Sequence, residues 1–299
     1  MRVKGIPLVH AAWGGALIAI AEFAQDPLPV KRMQVNGTDI AYVEQGTGPP
    51  VVLVLGGVGD YRVWTRQLAD FSTRHRTIAY SFRYHYPNAR AAEDAEYSVP
   101  LHAADLAALI RILDLGPAHL VGYSYGASVA AFVARDHPQL VRSLVLAEPP
   151  LYSLLAHHPE AKALLAERGT AMSRVQDALR ADNGAEAIKR FLDFTLAPAS
   201  FSGLNDDLRS AMLANAAILR LLLRSTPAPF TCEHAMSIRA PSLLVTGART
   251  LRLFTITLDE LEKCLRHRER MTLSGTAHGL PFENPAVFNE AVLRFLARQ

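Results

Sequence analysis

Ser124 stands in Gly122-Tyr123-Ser124-Tyr125-Gly126, with a glycine two residues away on either side. Before it, the apolar His119-Leu120-Val121 reads as a short buried strand; after it, Ala127 to Arg135 reads as a helix closed by His137-Pro138. A strand that turns directly into a helix needs a tight, strained turn, and glycine at 122 and 126 removes side chains that would meet facing backbone. Such a turn lifts the serine hydroxyl clear of the sheet and sets it at a helix N-terminus, where negative charge is favoured. That arrangement suits a nucleophile. A serine hydroxyl is a weak one, however, and needs a base within hydrogen-bond reach. Of the 11 histidines, His278 meets that demand best: it lies in the loop Ser274 to Leu280, after the last strand pattern and before the final helix. Loops beyond the C-terminal ends of parallel strands gather at one edge of the sheet, so His278 and Ser124 can meet there.

Two further stretches bear on the site. Gly56-Gly57-Val58-Gly59-Asp60 follows the continuous apolar run Val51 to Leu55, and so much glycine implies that its backbone approaches something closely. Arg83-Tyr84-His85-Tyr86-Pro87-Asn88 follows a strand at Thr77 to Ser81. Gly57 and His85 are therefore expected to line a substrate pocket, with a surface aromatic turn as the alternative for His85. His157-His158 with Glu160 has the wrong spacing for a metal site and reads as a solvated helix start.

The elements that must carry these residues alternate. Val30 to Val35 and Ile40 to Val43 flank Asn36-Gly37, a hairpin signal. Strand patterns at Val51, Thr77, His119, Ser143, Ser242 and Arg270 are interleaved with helical ones, such as Leu106, Leu109, Ile110 and Leu113. From Leu151 to about Ile238 helical periodicity dominates and no run looks like a buried strand. This pattern predicts an α/β fold, a mostly parallel doubly wound sheet with a helical cap inserted between strands. The expected organisation is a core of residues 30–150 and 239–299, a cap of 151–238, and an N-terminal extension or signal peptide over 1–29. Arg2 and Lys4 precede a short apolar run ending in Ala19-Ile20-Ala21, which fits a secretory signal better than a membrane span. Secretion or a periplasmic location is the expectation if that signal is real, and the cytoplasm otherwise.

With half of its 299 residues hydrophobic and a net charge of +3, the chain can bury a large core and carries no nucleic-acid footprint. Cys232 and Cys264 form no metal-binding spacing and read as ordinary thiols. No cofactor is called for.

The Ser124 motif, the glycine-rich loop after Val51 to Leu55 and the late His278 together resemble the α/β-hydrolase superfamily, from about Val30 to the end. The resemblance implies Ser124 as nucleophile, His278 as general base, and an oxyanion hole made by the backbone N–H groups of Val58 and Tyr125. Two departures stand out. The family commonly has His-Gly where this chain has Gly56-Gly57. The usual triad aspartate would fall near Thr250, in a loop with no carboxylate. Glu148, at the end of the strand after the nucleophile helix, is the strongest substitute, because some family members place their acid there; Asp259 is the runner-up. The expected activity is hydrolysis of a small, fairly apolar ester or related acyl compound. The rivals are a cofactor-independent oxygenase or perhydrolase on the same triad, and a non-catalytic small-ligand receptor.

Overall fold

The computed structural model describes residues 28–299 apart from Glu93 and Pro198; the N-terminal signal reading therefore falls almost wholly outside the described residues. Eight strands form one sheet: β1 (Lys31–Val35), β2 (Thr38–Gln45), β3 (Pro50–Val54), β4 (Arg76–Tyr80), β5 (Ala118–Tyr123), β6 (Val141–Ala147), β7 (Ser242–Gly247) and β8 (Arg268–Leu273). Their spatial order is β1-β2-β4-β3-β5-β6-β7-β8. The first two strands are antiparallel, joined through Asn36 and Gly37 at φ +46° and +78°, as an Asn-Gly hairpin turn requires. β2 also pairs antiparallel with β4, and every pairing from β4 across to β8 is parallel. The inner strands read as unbroken apolar runs because helices cover both faces, and every residue of β5 and β7 is buried.

Helices α1 (Thr65–Phe71), α2 (Val99–Ile112) and α3 (Tyr125–Asp136) connect the first half of the sheet. Between β6 and β7 the chain is helical, with no strand among the described residues. It forms α4 (Ala161–Arg180), α5 (Gly184–Thr195), α6 (Ser200–Gly203), α7 (Asp206–Ala214), α8 (Ile218–Arg224) and α9 (Cys232–Ser237). The chain ends through α10 (Arg252–Cys264), α11 (Leu280–Glu283) and α12 (Pro285–Leu296). No described helix is long and apolar enough to cross a membrane.

Buried polar bonds fix the helical segment to the sheet's loops. Asn215, just past α7, donates from Nδ2 to Asp60 Oδ2 at 2.9 Å and accepts on Oδ1 from the Tyr86 N–H at 2.8 Å. One asparagine thereby ties α7 to the loops after both β3 and β4. A buried amide with those bonds cut would be costly, so the tie resists opening.

The cysteines depart from expectation. Cys232 and Cys264 are not free thiols but a disulfide, with Cα atoms 5.2 Å apart, because α9 packs on α10 and closes a separation of 32 residues. It joins the exit of the helical segment to the helix after β7. By loop-closure entropy, a bond closing a loop of this length contributes about 3–4 kcal/mol. Urea melts with and without reductant should differ by that amount; coincident midpoints would show that the bond adds no stability.

Candidate active site

The turn at Ser124 has the strain its glycines anticipated. Ser124 sits at φ +53° and ψ −123°, a conformation a serine holds only when its surroundings enforce it. Its N–H donates to Ala147 O of β6 at 2.8 Å, while its own carbonyl accepts the first bond of α3 from Ala127. A Cβ at Gly122 would stand 2.6 Å from Ala127 Cα, and one at Gly126 would stand 2.2 Å from Leu55 O. Only glycine allows strand and helix to approach this closely.

The sheet edge brings together the three side chains singled out. His278 Nε2 lies 3.0 Å from Ser124 Oγ, and His278 Nδ1 lies 2.5 Å from Glu148 Oε2. Glu148 has no exposed surface and takes φ +50°, which turns its carboxylate back across the end of β7. There Oε1 accepts from Thr246 Oγ1 at 2.9 Å and from the Gly247 N–H at 2.8 Å, while Oε2 also accepts from Thr250 Oγ1 at 2.8 Å. Four donors replace the water a buried carboxylate has lost. Thr250, at the position where the family's usual aspartate would fall, serves as one of those donors. Asp259, the runner-up carboxylate, lies on α10, pairs with Arg270 of β8 at 2.6 Å and is not part of this chain of bonds.

Sequence reasoning missed Phe254. Its ring lies flat on the His278 imidazole, with centroids 3.9 Å apart and planes 4° from parallel. With Tyr123 at 5.2 Å on another side, it confines the ring to the plane that reaches Ser124. Position 254 is one more apolar residue in the amphipathic pattern of α10, so nothing in its sequence context marks it.

Val58 and Tyr125 both line the cavity above Ser124, as does Gly57. Tyr125 is the first residue of α3, whose opening N–H groups have no helical acceptor. The cavity measures about 700 Å³ and lies between the sheet edge and helices α4, α5, α7 and α8. Its walls are largely hydrocarbon, including Leu192, Met212 and Leu222.

His85 corrects the sequence expectation. It does not line this cavity; it is completely buried behind the glycine-rich loop, with Nδ1 2.6 Å from Gly59 O and Nε2 3.0 Å from the Tyr97 hydroxyl. The loop after β4 folds inward here, knit by Asn88 to Ser81 O, Phe82 O and the Ala41 N–H. An imidazole that donates to Gly59 O and accepts from Tyr97 holds the glycine loop from behind. It does so although the chain has Gly56 where the family commonly has histidine. Burial depresses the His85 pKa to about 4, partly offset by its bond to Gly59, and likewise carries His119 to about 4. In the unfolded chain these rings bind protons near pH 6.5, so between pH 6.5 and 4 the unfolded state holds more protons. Their neutral burial is fully accommodated above that window, and stability falls as pH drops through it, by up to about 1.4 kcal/mol per pH unit for His85. Thermal midpoints should decline from pH 7 to pH 5; constant midpoints would contradict this.

Comparisons with known proteins give the family. A sequence profile described as the alpha/beta hydrolase fold matches residues 49–285. The chain is 29% identical over 273 residues to a candidate non-heme bromoperoxidase, BpoC, of Mycobacterium tuberculosis, covering 87% of this chain and 98% of that one. Among solved structures, the carboxylesterase CesB (YbfK) of Bacillus subtilis superposes with a TM-score of 0.75 at 18% identity, covering 92% of this chain and 93% of that one. A hydrolase from Pseudomonas aeruginosa PA01 gives 0.72 at 22% identity, covering 89% and 98%. The profile spans well over half of the sequence, and the chain belongs to the alpha/beta hydrolase family.

Proposed function

We propose that this hydrolase is a serine esterase acting on a fairly apolar carboxylic ester or related acyl compound through an acyl-enzyme. The observation that carries this reading is the unbroken hydrogen-bonded series Ser124–His278–Glu148 at the floor of a hydrocarbon-walled cavity. His278 Nε2 takes the proton from Ser124 Oγ as that oxygen attacks the carbonyl carbon. The resulting oxyanion is held by the Val58 and Tyr125 N–H groups. His278 then gives its proton to the leaving alcohol as the C–O bond breaks. Water next attacks the acyl-enzyme, yields its proton to His278 and releases the acid, and the proton returns to Ser124. Glu148 keeps the Nδ1–H tautomer facing it and stabilises the imidazolium in each half-reaction. No step draws on a metal or an organic cofactor. Residues 151–238 act as a cap that shapes the acyl site and keeps bulk water out. A cavity of about 700 Å³ has room for a longer chain than the small acyl group expected from the sequence.

The reach of Glu148 to His278 favours turnover over a purely receptive role. A second reading draws on the bromoperoxidase relative: hydrogen peroxide in place of water would release a peracid, which oxidises bromide. The Cys232–Cys264 disulfide fits an exported protein working in an oxidising compartment, in line with the signal-like N-terminus.

Steady-state hydrolysis of a p-nitrophenyl ester tests the assignment. Ser124→Ala should fall to background, and Glu148→Gln should lose about 10³–10⁴-fold in kcat. A Glu148→Gln enzyme within tenfold of wild type would show that another group orients His278. Ser124-dependent bromination with peroxide and a carboxylic acid, faster than ester hydrolysis, would favour the second reading.

A further inference from the structure

Among the described residues that line the cavity, Arg168 is the one lysine or arginine, and none is an aspartate or glutamate. Arg168 projects from α4, with its guanidinium carbon 5.3 Å from the centroid of the Tyr152 ring. That ring lies 6.4 Å from Phe254, which stacks on His278. Glu160, at the start of α4, is taken by Arg252 at 2.7 Å, and no described carboxylate is within ion-pair distance of Arg168. Ser128, one turn beyond Ser124, also lines the cavity, and its buried hydroxyl has no partner among the described residues. The cavity thus holds one unneutralised cation, with the buried Ser128 hydroxyl also unpartnered, in a wall that is mostly apolar.

The reaction geometry tells which part of the substrate meets them. The carbonyl oxygen turns toward the Val58 and Tyr125 N–H groups, and the leaving oxygen must lie beside His278 Nε2, which protonates it. The alcohol therefore occupies the side walled by Phe254, Tyr152 and Arg168. The acyl chain takes the hydrocarbon side, where Leu222 lies 3.1 Å from the position of a Cβ on Gly57. Resting on the esterase reading, the geometry points to an ester of an apolar acyl chain with an alcohol that carries an anion. The anion, a carboxylate or a phosphate, is received by Arg168. Guanidinium suits both, since its fork of N–H groups matches two oxygens at once.

The test uses octanoyl esters of three alcohols: glycolate, glycerol 3-phosphate and neutral ethylene glycol, with rates corrected for alkaline hydrolysis. Wild type should favour one or both anionic esters by about tenfold or more in kcat/KM, chiefly through KM. The better of the two identifies the anion's source. The preference should shrink with added salt and fall at least tenfold in Arg168→Gln. Arg168→Lys should restore part of it, and Arg168→Glu should prefer octanoylcholine instead. Equal specificity constants in wild type, or an undiminished preference in Arg168→Gln, would overturn the inference while leaving the esterase reading intact if the neutral ester is still cleaved through Ser124. No Ser124-dependent cleavage of any ester would overturn both.

Discussion

A carboxylate removed from water must be given hydrogen bonds in its place, and the site is arranged around that demand at Glu148. Its two oxygens collect the Thr246 hydroxyl, the Gly247 N–H, the Thr250 hydroxyl and His278 Nδ1. These donors come from the end of β7, the loop beyond it and the loop after β8, while Glu148 itself directly follows β6. Three neighbouring strand ends are thus fastened to one buried charge. Remove any donor and the cost falls on the carboxylate; remove the carboxylate and several donors are stranded together. This mutual dependence holds His278 in the one orientation that reaches Ser124.

The parallel register of β5, β6 and β7 makes such a meeting point available. Ser124 leaves β5 and Glu148 leaves β6 at the same edge, each at positive φ, so both side chains are swung across the strand ends rather than continuing a strand's alternation. Conformational strain at two adjacent strand ends is tolerated because Gly122 and Gly126 admit the close strand–helix contact and the four donors hold Glu148. The helical segment above is tied to this edge by Asn215 and by the disulfide between α9 and α10. The latter also anchors the helix that carries Phe254.

Much of the fold was legible because strand and helix periods alternate cleanly, and Asn36-Gly37 or Gly122-x-Ser124-x-Gly126 carry backbone requirements in their residue types. The strained turn at Ser124 and its meeting with the late His278 could be read for the same reason. The carboxylate was harder: Glu148 and Asp259 are both plausible in sequence, and only the pairing of Asp259 with Arg270 and the donors around Glu148 separate them. His85 and Phe254 show the limit most clearly. One looked like a pocket residue and is a buried brace for Gly59, while the other looked like helix packing and lies on the imidazole. Both outcomes depend on how loops fold over the sheet edge, which no local period encodes. The cysteines are alike in this: their bond depends on α9 meeting α10, a tertiary contact with no signature in their spacing.

The central claim is that Ser124 is activated by the buried His278–Glu148 pair. Its most direct test is the adduct formed with a fluorophosphonate, located by mass spectrometry of the digested protein. The account predicts one stoichiometric adduct, on the peptide containing Ser124, formed far more slowly when Glu148 is replaced by glutamine. An unlabelled protein, or an adduct on any other residue, would contradict it.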